Sequence, residues 1–113
     1  MTAKNTLTTA PPYAVEHALK RLGANLRAAR LRRNLTIQSV ADRIGTGPRP
    51  VSDAEKGKPS TGVAVYVAML WTYNLLHGLE DVADPALDHE GLALSFRRER
   101  ARGRQPERLD DDF

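Results

Sequence analysis

The chain has 113 residues, with 17 Lys and Arg against 14 Asp and Glu, a formal net charge of +3, and no cysteine. Without thiols there are no disulfides and no thiolate metal sites, and 41% apolar content allows one compact domain plus tails. No run approaches the ~20 apolar residues of a membrane span, and MTAKNTLTTAPP lacks the apolar stretch of a signal peptide, so a soluble intracellular protein is expected.

Charge is segregated along the chain. Residues 1–58 hold eleven Lys and Arg against four acids, residues 59–96 hold five acids and no Lys or Arg, and residues 97–113 hold six Arg against five acids. A basic first half is the electrostatic footprint that phosphate binding requires. Exposed helix faces solvated by Arg and Lys also produce such a run.

Residues 1–12 read as a disordered arm, rich in Thr, Asn and Pro and closed by Pro11-Pro12, which blocks helix propagation backward. From residue 14 to 33, Val15, Leu19, Leu22, Leu26 and Ala29 recur at three- and four-residue steps, predicting an amphipathic helix of about 20 residues, with Lys20, Arg27, Arg32 and Arg33 on its opposite face. Asn34-Leu35 makes a turn, and Thr36 is placed to cap the next helix.

Residues 37–57, IQSVADRIGTGPRPVSDAEKG, are the most informative stretch. Val40, Ala41 and Ile44 follow Ile37 on one apolar face, and Gly45 ends that helix as a residue able to take positive φ does. A second short helix begins at Pro48 with Gly47 as its N-cap, which puts Pro48 and Pro50 in the first turn, where the N–H groups have no intrahelical partner to lose. It buries Val51 and Ala54. Ala41 is small enough to let the two helices cross closely. A small residue, a glycine turn and an aliphatic residue at these spacings form the pattern of a helix-turn-helix, whose second helix reads DNA; an amphipathic helical hairpin shares part of it.

After Lys58-Pro59, Ser60 or Thr61 is expected to cap a helix that is apolar nearly all round, with Val63, Tyr66, Val67 and Leu70 facing the core. Trp71, Leu75, Leu76 and Leu79 exceed what so small a domain buries, and are expected at a dimer interface. A fifth short helix covers residues 76–83. The segment DPALDHEGLALSF reads equally as a helix or a docked extended strip. The rest, FRRERARGRQPERLDDDF, is expected to be a mobile tail, basic then acidic, ending in Phe113.

With RAARLRRNLTIQSVADRIG, EKGKPS and VYVAMLWTYNLLHGLEDVADPALDHEGLAL in view, the chain resembles the phage-repressor-like (XRE, Cro/cI) helix-turn-helix proteins over about residues 22–83. More narrowly it resembles the HipB-type antitoxins encoded beside HipA-like serine/threonine kinases, through LRRNLT, EKG, VAMLW, LEDVADP and GLAL. The resemblance implies an all-α, five-helix Cro/cI-type domain over residues 13–83, a homodimer, a palindromic operator, a kinase-toxin partner, and a cytoplasmic, nucleoid-associated prokaryotic setting, with residues 84–113 as a charged extension. It also implies that Arg30 and Glu55 form a partly buried salt bridge; two independent surface charges are the plain alternative.

Two departures stand out. The family usually carries Gln where this chain has Ile37, a residue that touches the DNA backbone or the neighbouring recognition helix. Its polar first turn is here Gly47-Pro48-Arg49-Pro50. Arg49 and Ser52 are then the best base-edge candidates, Arg being the commonest bidentate reader of guanine, while Asp53 either accepts from cytosine N4 or repels phosphate. Thr36, Gln38, Arg43, Lys56 and Lys58 are placed for phosphate contacts, which fix register without reading sequence.

His17, His77 and His89 share no ligand spacing, and GTGPRP lacks the Lys-Ser/Thr of a P-loop, so no metal, no cofactor and no enzyme are expected. The sequence expectation is a DNA-binding antitoxin that represses its own operon and holds a HipA-like kinase inactive, with Phe113 as a docking residue for that partner. The alternatives are a stand-alone dimeric repressor, and a protein-interaction module that has lost DNA binding.

Overall fold

The computed structural model describes residues 6–103, which hold helices and turns and no strand. The chain forms two compact units that divide in sequence between Leu76 and His77; the sequence alone places that boundary later, after residue 83. The first unit contains α1 (Thr6–Thr9), α2 (Tyr13–Arg32), α3 (Ile37–Ile44), α4 (Pro48–Glu55) and α5 (Val63–Thr72). α1 is one helical turn inside the arm expected to be disordered. Ala10 N donates to Thr6 O at 2.7 Å to close it, and Pro11 and Pro12 keep it from running into α2.

α4 is the hub of the first unit, packing on α2, α3 and α5. The core draws Leu26 and Ala29 from α2, Val40 and Ala41 from α3, Val51 and Ala54 from α4, and Tyr66, Met69 and then Tyr73 from α5 and its C-cap. Leu19 and Leu22 pack against its edge, but Val15, near the start of α2, is exposed. On α5 the buried stripe is Tyr66, Met69 and Tyr73. Val63, expected inside, is 75% exposed at the helix start, and Val67 is half-buried. A helix that is apolar nearly all round has no periodicity from which to choose a face, so its neighbours choose it. Its N-cap is Gly62, with no side-chain cap from Ser60 or Thr61.

Two glycines set how closely α2 and α4 approach. A Cβ on Gly23 would lie 2.5 Å from the Ala54 carbonyl oxygen and 2.6 Å from that of Glu55; a Cβ on Gly57 would lie 2.6 Å from the Leu19 oxygen. Every one of these neighbours is backbone, so nothing can swing aside. Gly57 also has φ +70°, a conformation that side chains with a Cβ adopt at a cost. Ala41 and Ala54, both fully buried, supply small residues at the α3–α4 contact.

Beside that crossing lies a buried ion pair. Arg30 Nε donates to Glu55 Oε2 at 2.7 Å and Nη2 to Glu55 Oε1 at 3.0 Å, while Nη1 donates to the Leu35 carbonyl at 3.0 Å. The hydrogen bonds with Glu55 hold the Arg30 guanidinium above its ordinary range, against the opposing effect of burial. Arg33, expected on the solvent face of α2, donates to the Ala29 carbonyl at 2.9 Å and the Tyr73 carbonyl at 3.0 Å, with its guanidinium 5.6 Å from the Tyr73 ring centre. Burial pushes the Tyr73 phenol up to about 12, and its hydroxyl has no hydrogen-bond partner among the described residues.

The second unit takes different forms from those expected. Residues 76–81 form a 3₁₀ helix (Leu76–Asp81, begun on the last residue of the first unit) where a fifth α-helix was expected. α6 (His89–Gly103) shows that the ambiguous segment is helical, and it continues through the arginines assigned to a mobile tail. Asp88 Oδ1 accepts from Gly91 N at 3.0 Å to start it. No residue of α6 is buried. Phe113 and the acidic run before it lie outside the described residues.

Two outcomes follow for stability. Glu55→Ala, which strands a buried guanidinium, will lower unfolding free energy by about 3–5 kcal/mol, whereas Arg30→Met combined with Glu55→Leu will restore much of the loss. Urea unfolding followed by the fluorescence of Trp71 measures both. A phenol whose folded-state value lies above the unfolded value of about 10 contributes stability that is intact below pH 10 and lost as pH rises toward 12. Tyr73→Phe will therefore flatten the alkaline fall in stability between pH 10 and 12, and at pH 7 will be neutral or mildly stabilising, since the hydroxyl it removes makes no bond.

Candidate nucleic-acid interface

α3 starts with a reciprocal cap: the Thr36 hydroxyl accepts from Ser39 N at 3.0 Å, and Ser39 Oγ accepts from Thr36 N at 3.0 Å. It ends at Gly45, which has φ +84°, with Gly45 N and Thr46 N both donating to the Ala41 carbonyl. Four residues after Ile44 the chain re-enters a helix at Pro48, with Gly47 as N-cap. Both ends of this turn are as the sequence predicts, because each is decided by local chemistry.

The prolines alter what the first turn of α4 offers. A helix N-terminus normally presents several free N–H groups to an anion. Pro48 and Pro50 have none, which among the first three helical positions leaves only that of Arg49. Recognition by this turn therefore falls to side chains.

Those side chains converge. Arg49, Ser52, Asp53, Lys56 and Lys58, together with Ile37 and Pro48, line one open depression of about 440 Å³. Three cations face one carboxylate there. Asp53 Oδ1 is 3.2 Å from Lys58 Nζ, so the single negative charge is partly neutralised by a neighbour from the same groove. Arg49 and Lys56 are exposed and carry no ion pair among the described residues. All three expected base-edge residues and two of the five expected phosphate contacts thus share one surface.

The other three do not line it. Thr36 is occupied in its cap, Gln38 Nε2 donates to Asp42 Oδ1 at 2.8 Å, and the Arg43 guanidinium sits 4.9 Å from the Trp71 ring centre. The last contact links a residue expected at phosphate with one expected at a dimer interface. Residues 28 apart in sequence and on different helices leave no periodic signal, so reading along the chain could not pair them. Of the remaining expected interface residues, Leu75 is exposed and Leu76 half-buried in the first unit, and Leu79 is exposed in the second.

Among the described residues there is no group of three or more His, Asp or Glu side chains able to hold a metal ion, and no helix long and apolar enough to cross a membrane. The chemistry on display is that of three cations, a carboxylate, a hydroxyl and apolar carbon on and beside a short helix. Comparison of the chain with protein-family models, with curated proteins and with solved structures yields no match.

Proposed function

We propose that the chain is a sequence-specific DNA-binding protein with a Cro/cI-type helix-turn-helix, in which α3 and α4 are the paired helices and α4 enters the major groove. The observation that carries this is the single depression that gathers Arg49, Ser52, Asp53, Lys56 and Lys58 on and beside α4. The charge pattern supports it, since the half of the chain that builds α2 to α4 holds the large excess of Lys and Arg. Arg49 serves as base reader, with the planar donor fork that suits guanine O6 and N7. Lys56 and Lys58 hold phosphate.

The finer reading is a homodimeric antitoxin and autorepressor that neutralises a HipA-like kinase. It rests on the resemblance in LRRNLT, EKG and VAMLW together with the exposed apolar residues Trp71, Leu75 and Leu79. A dimer would set two copies of α4 into successive major grooves of a two-fold operator. A stand-alone repressor shares all of this except the kinase. A kinase-like reading frame next to the gene favours the antitoxin, and its absence favours the stand-alone repressor. A module that has lost DNA binding would fail the titration that follows.

Affinity for the duplex upstream of its own gene is expected to fall steeply with salt in a fluorescence-anisotropy titration. Arg49→Ala will lose about 1–3 kcal/mol on that duplex and relax preference at one base pair per half-site, whereas Lys56→Ala will weaken specific and random duplexes alike and flatten the salt slope. Equal loss on both duplexes for Arg49→Ala would remove Arg49 as a reader. Leu75→Asp, at a position the fold leaves exposed, will yield monomers with unchanged helix content and reduced operator affinity; an unchanged mass in light scattering counts against the dimer surface.

A further inference from the structure

We infer that Ile37 and Pro48 form an apolar wall of the α4 groove that recognises the 5-methyl group of a thymine adjoining the base pair read by Arg49. The inference rests on the DNA-binding reading above and adds a specificity that charge alone does not supply. Among the edges that a base pair presents in the major groove, the thymine methyl is the one apolar feature. Here two apolar side chains share a depression with Arg49 and Lys56.

Both are held rigidly. Ile37 is the first residue of α3 and half-buried: it packs against the core beside Val40 and also lines the groove. Its β-branched side chain has few rotamers to lose. Pro48 is exposed at the first position of α4, and its ring has almost no freedom to lose on contact. A wall that is ordered beforehand costs little to engage, unlike the long chains of Lys56 and Lys58.

The same proline argues against phosphate as the occupant of this end of the groove. Where an anion-binding helix start would offer N–H groups, α4 offers the rings of Pro48 and Pro50. A hydrophobic ring next to a guanidinium matches a base edge with a methyl and a neighbouring acceptor pair, and mismatches a phosphate oxygen.

The test needs no variant to begin with. In the duplex upstream of the gene, each thymidine within the protected region is replaced singly by deoxyuridine, which removes only the methyl group. Anisotropy titrations with the full-length wild-type protein are expected to show about fourfold weaker binding at one position per half-site, the worth of one buried methyl group, with near-equal affinity at the others. Ile37→Ser will bring the thymidine-to-deoxyuridine ratio at that position to about one while leaving the salt slope unchanged, and Pro48→Ala, at an exposed site, will reduce the ratio without affecting the fold. No loss at any position, equal loss at all, or an undiminished ratio in both variants overturns the inference while leaving the DNA-binding reading standing. Failure of the wild-type protein to bind the unmodified duplex at low salt overturns both.

Discussion

Arg30 ties three segments of the first unit to one another. Its guanidinium reaches from α2 to the last residue of α4 through two hydrogen bonds and to the α2–α3 turn through a third. A buried charge is expensive unless its donors are satisfied, and here the carboxylate and the Leu35 carbonyl satisfy three of the five. The return is positional. α4 has only eight residues, too few to be stable as an isolated helix, so tertiary contact has to define where it points. Anchoring it at Glu55, its C-terminal residue, leaves the opposite end with Arg49 free to project.

Close approach of backbone makes the anchor possible. Gly23 on α2 admits the main chain at the end of α4, and Gly57 just after α4 admits that of Leu19 and Lys20, at distances that no Cβ tolerates, while the small side chains of Ala41 and Ala54 are fully buried where α3 and α4 meet. Short contacts of this kind place the Arg30 side chain within reach of Glu55 without stretching either. The left-handed turns at Gly45 and Gly57 then bracket α4, fixing where the chain enters and where it leaves.

The groove that results is a compromise between charge and rigidity. Two prolines strip N–H groups from the start of α4 and stiffen it, so side chains carry the chemistry that backbone dipoles usually share. Asp53, the one carboxylate, is turned toward Lys58, which limits the repulsion it would impose on a polyanion. Arg43 lies over Trp71 instead of joining the groove, tying α3 to the exposed end of α5. Anything that covered Trp71 would therefore change the surroundings of a residue on α3.

By itself the sequence determined what short-range chemistry decides. The extents of α2, α3 and α4 follow from apolar spacing, from the Thr36 cap, from glycine at the left-handed position and from proline confined to a first turn, and each of these acts within a few residues. The gathering of Arg49, Ser52 and Lys56 is legible for the same reason, since one short helix and its C-cap carry them. Tertiary structure decided what depends on a distant partner: which face of the uniformly apolar α5 goes inside, why Val63 stays out and Tyr73 goes in, and that the exposed Arg33 and Arg43 each lie over an aromatic ring. It also decided that Gly23 matters, because a glycine in a helix looks like a weakness until a second backbone occupies the space its missing Cβ leaves. Periodicity registers whether a residue is apolar and never what stands opposite it.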